Sequence, residues 1–169
     1  AIRNADRQRT LYLDRDQRRT LLDQVDVEAE PFVRALSLLP LRPGAVAQLI
    51  VADFDGRTSE LSIGKDKSGK PRRILLPPDT AKLFAAQAEG RDSADPLFAR
   101  SNGKAWDRNS WKEPILKAAS VGKLPAGTTA YTLRHSTITD LVTSGLPLLT
   151  VAQISDTSAE ISVACGAAR

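Results

Sequence analysis

Over the first fifty positions, apolar residues recur every three or four places, the spacing that lines one face of a helix. Asp14 and Gln17 stand three apart ahead of Leu21, Leu22 and Val25, a capping-box spacing that predicts a first helix. Phe32, Val33, Leu36 and Leu39 predict a second, which Pro40 stops. Pro43 suits the first turn of a short third helix carrying Val46, Leu49 and Ile50. The period then changes. VADFDGRTSELSIG and RRILLP read as short strands, and GKDKSGKP between them carries turn chemistry. Helical spacing returns in TAKLFAAQAEG, with Asp79 as its candidate cap and Gly90 as its end. A loop through Pro96 and Gly103 leads to a helix in AWDRNSWKEPILKAAS. TLRHSTITDLVTSG predicts another, with Leu133, Ile138, Leu141 and Val142 apolar and Gly145 as its end, and LLTVAQI a last short one. The predicted fold is mostly α with a small antiparallel β-sheet, an α+β class.

Composition narrows the function classes. A length of 169 residues fits one domain, and no run approaches the roughly 18 apolar residues that span a bilayer. The first residues, AIRNADRQRTLYLDRDQ, are charged and lack the apolar centre of a signal peptide. With Cys165 alone, no intramolecular disulfide can form, and a cysteine-based metal site is disfavoured. A cytoplasmic, nucleoid-associated protein without a membrane partner is the expectation. No clustered carboxylates or histidines mark a metal-dependent nuclease.

The net charge of +4 says little by itself. Its distribution says more: Arg57, Lys65, Lys67, Lys70, Arg72 and Arg73 stand against only Glu60 and Asp66 in one stretch. Such a hairpin either faces phosphate or carries solvated charges that protect a sheet edge. A second feature is AYTLRHSTITDL, where the only histidine, His135, directly follows Arg134 at the mouth of a helix. A buried arginine there costs free energy unless an anion meets it.

Three segments together resemble the catalytic domain of tyrosine recombinases, the phage-integrase family. LSLLPLRPGAVAQLIVADFD is similar to that family's first-arginine motif, GKDKSGKPRRILLP to its hairpin with the active lysine, and AYTLRHSTITDLVTSGLPLLTVAQIS to its HxLRH box. The likeness runs in order from about Leu11 to Ser158. It implies a recombinase catalytic domain over residues 13–158, a linker remnant over 1–12 and an atypical tail over 159–169.

Enzymes of this family attack a DNA phosphodiester with a tyrosine hydroxyl and keep the bond energy as a 3′-phosphotyrosyl link. The resemblance implies double-stranded DNA as partner and no metal or nucleotide cofactor. Side chains alone then supply positive charge to the pentacoordinate phosphate. It implies Arg42 and Arg134 as the paired arginines, each able to grip two oxygens. Lys67 best matches the lysine that protonates the leaving oxygen, with Lys65 its neighbouring competitor. Lys65, Lys70, Arg72 and Arg73 would line the DNA, and His135 would pack and hydrogen-bond beside the phosphate.

The sequence departs from the family at three places. Tyr131 stands where the box has its first histidine, and can still donate a hydrogen bond to phosphate. Ala45 replaces an acidic residue that steadies the first arginine, a role open to Asp53 or Asp55. In the family's closing turn Asp156 takes the glycine place and Thr157 the histidine place. The only tyrosines are Tyr12 and Tyr131, so the expected nucleophile is missing. The resulting expectation is a shortened recombinase domain, incompetent in cleavage by itself. The alternative is a non-catalytic DNA-binding or assembly module, which could accept a C-terminal segment from another recombinase protomer.

Overall fold

The computed structural model describes residues 11–65 and 71–145. Three helices come first: α1 (Arg15–Gln24), α2 (Glu30–Leu38) and the short α3 (Pro43–Ala47). A 3-10 turn (Val51–Asp53) leads into β1 (Phe54–Asp55), β2 (Glu60–Lys65) and β3 (Pro71–Leu75), an antiparallel sheet in the order β1-β2-β3. Then follow α4 (Pro78–Ala88), α5 (Arg108–Val121) and α6 (Ala130–Thr143). The helical content and the three-stranded antiparallel sheet agree with the α+β class read from the sequence. The LLTVAQI segment and residues 159–169 lie outside the described residues.

Local chemistry sets the helix starts. Gln17 N donates to Asp14 Oδ1 at 2.8 Å while Asp14 N donates to Gln17 Oε1 at 2.9 Å, closing the capping box of α1. At α5, Ser110 N donates to Asp107 Oδ1 at 2.8 Å. Hydrogen bonds from Ser110 hold the Asp107 carboxyl below its ordinary titration range. Gly145 follows α6 with φ +97°, a conformation glycine adopts without strain.

Three details differ from the sequence expectation. VADFDGRTSELSIG is not one strand: it opens as a 3-10 turn and is broken between β1 and β2 by a turn with Ser59 at φ 59°. Asp79 does not cap α4, because the helix begins one residue earlier on Pro77-Pro78 and Asp79 sits within its first turn. Helix α3 stops at Ala47, so Leu49 and Ile50 lie beyond it.

All four phenylalanines and both tryptophans form one aromatic ladder through the molecule. Phe54 of β1 meets Phe84 of α4 edge-on, and Phe84 meets Phe98 at 5.2 Å between ring centres. Phe98 meets Phe32 of α2, which stacks on Trp106 at 5.8 Å and on Trp111 of α5 at 5.5 Å. Offset and edge-on pairs of this kind add to the area they bury. The ladder therefore fixes the sheet, α2 and α5 relative to one another.

Helix α6 runs through the middle of the fold. Eight of its residues are buried, from Ala130 to Thr139, and several are hydroxyl-bearing. Ser136, Thr137, Thr139 and Thr143 each donate to the carbonyl one turn back, at 2.7–2.9 Å. That local bonding lets a polar helix be buried without orphaned hydroxyls.

Candidate functional site

Arg42 is the N-cap of α3 and is exposed, its backbone extended at φ −62° and ψ 140° ahead of Pro43. The extended conformation follows from the proline after it. Arg134 projects from α6, half-buried, and its Nε donates to the Pro40 carbonyl oxygen at 3.5 Å. Pro40 is two residues from Arg42, so Arg134 meets the backbone segment that leads to Arg42. The same side of α6 is held a turn further along, where Thr137 Oγ1 lies 3.3 Å from Ser37 O and 3.5 Å from Leu36 O, at the end of α2.

The remaining described candidates lie on α6, in the 3-10 turn and β1, and on the hairpin. Tyr131 stands three residues before Arg134 on α6, on the same helix face, and is 41% exposed. His135 is buried, only 7% exposed, and burial pushes its pKa below the ordinary histidine value. It is therefore a neutral imidazole near pH 7, suited to packing and hydrogen bonding beside Arg134. Asp53 and Asp55 are committed to their own turns: Asp53 accepts from Ile50 N and Asp55 from Arg57 N, each at 2.9 Å. That Arg57 bond lowers the pKa of the exposed Asp55 carboxyl.

The hairpin arginines divide between two faces. Arg72 pairs with Ile63 and Arg73 with Ser62. Adjacent strand residues point to opposite sides, so half-buried Arg72 shares the side of buried Ile63 while Arg73 is exposed on the other. Lys65 ends β2 opposite Pro71. Lys67, Lys70 and Thr157 lie outside the described residues.

A groove of about 420 Å³ adjoins α3, lined among others by Gly44, Gln48, Ile50, Trp106 and Arg108. Arg108 escaped the sequence reading, although its place one residue after the Asp107 cap marks it as a first-turn, solvent-facing cation. Among the described residues no three His, Cys, Asp or Glu side chains gather where a metal could sit. No helix among the described residues is long and apolar enough to cross a membrane.

The architecture is the fold of the tyrosine recombinase catalytic domain. Among solved structures, the chain is similar to the XerA recombinase, with TM-score 0.77 and 19% identity over 92% of this chain and 58% of that one. It is also similar to the Tn1549 transposon integrase in complex with transposon right end DNA, with TM-score 0.79 and 17% identity over 92% of this chain and 60% of that one. The catalytic domain of bacteriophage HP1 integrase matches with TM-score 0.68 and 16% identity, over 93% of this chain and 87% of that domain. The chain thus spans less than two thirds of the XerA and Tn1549 proteins. No protein-family profile matches the chain, and neither does any curated protein.

Proposed function

We propose that this chain binds the scissile phosphate of double-stranded DNA as the catalytic domain of a site-specific recombinase. The observation that carries the reading is the convergence of Arg134 on the segment leading to Arg42. Guanidinium groups stay charged at any working pH and can each donate two parallel hydrogen bonds to a phosphate. Two of them at one corner offset the negative charge that builds on the equatorial oxygens in the transition state. Tyr131 adds a neutral donor on the same face. Lys67, or Lys65, protonates the leaving oxygen, and Thr157 takes the place of the closing turn's donor. DNA binding by the Tn1549 integrase, which shares the fold, supports the choice of ligand.

The attacking tyrosine comes from outside these 169 residues. Tyr12 Oη donates to Asp140 Oδ1 at 2.7 Å, away from Arg134, and Tyr131 occupies the box. That feature favours a second reading, a non-catalytic module that occupies recombination sites or accepts a segment from another protomer.

Covalent trapping on a nicked DNA site separates the two. The chain alone is expected to form no phosphotyrosyl adduct. Adding a tyrosine-bearing recombinase partner restores trapping if this site completes catalysis, and leaves it at zero if the chain only occupies DNA. An adduct formed by the chain alone would contradict the assignment of the nucleophile.

A further inference from the structure

Helix α6 is gripped on two sides, and only one of them is explained by the anion site. On one side Arg134 and Thr137 meet Pro40, Leu36 and Ser37. On the other, Ser136 and Asp140, four residues apart, meet α1 and the segment that precedes it. Leu13 N donates to Ser136 Oγ at 2.9 Å, Tyr12 Oη donates to Asp140 Oδ1 at 2.7 Å, and the Arg18 guanidinium bonds to Asp140 Oδ2. Arg18 also reaches back through Nε to the Asp14 carbonyl at 3.4 Å, and its side chain is only 11% exposed. Leu13 is fully buried.

We infer that Asp140, with Tyr12 and Arg18, is a positioning residue for Arg134: it fixes the rotation of α6 and thereby the direction of the guanidinium. This rests on the phosphate-binding reading for its functional consequence, but its geometry stands apart from it. At about 100° per residue, Ser136 lies about 160° and Asp140 about 120° around the axis from Arg134, so Asp140 is held on a different side of α6 from the guanidinium it steadies. A helix that turns by about 10° carries a guanidinium roughly 8 Å from its axis through about 1.4 Å, enough to break a hydrogen bond. Misplacement on that scale is costly where a group must meet a developing charge. A carboxylate that accepts from both a guanidinium and a phenol resists such rotation better than an apolar contact, because its bonds are directional.

The Arg134 Nε–H resonance of the 15N-labelled chain, assigned by its loss in Arg134→Lys, tests this. The variants are Asp140→Asn, which keeps the shape but removes the charge facing Arg18, and Tyr12→Phe, which removes one hydroxyl and leaves the ion pair. Glu30→Gln serves as control, because it breaks the exposed Arg34–Glu30 pair on α2. Each is read at a temperature where circular dichroism shows the chain folded, together with affinity for a double-stranded oligonucleotide. Asp140→Asn is expected to move the Arg134 signal, speed its hydrogen exchange severalfold and weaken DNA binding by about tenfold, with Tyr12→Phe intermediate and Glu30→Gln silent. An Arg134 signal unmoved in both variants overturns the inference, whatever melting temperature or affinity does. A moved signal with unchanged DNA affinity upholds the positioning and counts instead against phosphate binding by Arg134. If Asp140→Asn does not fold, Tyr12→Phe alone decides.

Discussion

Arg134 Nε lies 3.5 Å from the carbonyl oxygen of Pro40, closing a separation of 94 residues and setting the second arginine beside the turn that presents Arg42. A bond of that length orients a side chain more than it stabilises a fold. The orientation is what an anion site needs.

Arginine and lysine should therefore not be interchangeable at position 134. Arg134→Lys keeps the charge but loses the planar fork, which grips two phosphate oxygens at once. Fluorescence anisotropy with a labelled duplex is expected to show roughly tenfold weaker binding, about 1.4 kcal/mol, with a nearly unchanged salt slope. Equal affinity for both residues would mean that only net charge matters there.

His135 makes stability depend on pH in a definite direction. Burial lowers its folded-state pKa below the ordinary 6.5. The unfolded chain therefore takes up a proton before the folded chain does, as pH falls through 6.5 and on to the folded value. The contribution is fully present above pH 6.5 and is lost below it. Chemical denaturation at pH 7.5 and pH 5.5 should show a drop in stability, approaching 1.4 kcal/mol per pH unit from this group at most. His135→Gln should flatten that part of the profile; an unchanged slope in the variant would assign the proton elsewhere.

Two glycines should respond oppositely to alanine. At Gly44 a Cβ would meet nothing within 4 Å, and the residue sits in the first turn of α3. Gly44→Ala is expected to stabilise by about 0.4–1 kcal/mol, mainly through the unfolded chain. At Gly122 a Cβ would lie 2.8 Å from Thr20 Cγ2 and 3.2 Å from the Ala118 carbonyl. Gly122→Ala should cost about 1–3 kcal/mol, because α1 and α5 must separate there. Thermal melts of the pair check both signs in one experiment.

Phe32 is the centre of the aromatic ladder, with two stacked tryptophans and an edge-on phenylalanine. Phe32→Ala should cost about 3–5 kcal/mol. Phe32→Leu, which refills much of the volume, should cost markedly less; similar losses in urea titrations would show that the ladder does not carry α2.

Much of this architecture was legible because local rules and tertiary packing agree. The Asp14–Gln17 box, Pro43 and Gly145 mark helix ends through bonds made within a few residues, which a sequence displays directly. The broken strand was not legible. Phe54 and Leu61 pair across a turn whose residues, Gly56 to Ser59, carry no apolar side chain, and that pairing is a matter of backbone register. The interior position of α6 was also hidden, since Ser136, Thr137 and Thr139 satisfy their hydroxyls on its own carbonyls and leave a weak apolar period.

The site divides in the same way. Arg42, Tyr131 and Arg134 stand in motifs, so their types and order mark them as candidates. The separation of Arg72 from Arg73 follows from strand register, which the count of basic residues does not carry. The grip of Tyr12 and Arg18 on Asp140 joins positions more than 120 residues apart, and no local pattern announces such a contact.

The most direct measurement compares duplex binding by the chain and by its Arg42→Ala, Arg134→Ala double variant across 50 to 200 mM salt, values spanning the range in which counterion release is readily seen, roughly fourfold in concentration. If both guanidiniums meet one phosphate, affinity falls by about a hundredfold and the slope of log affinity against log salt shrinks by about one to two. An unchanged affinity and slope in the folded double variant would contradict the account.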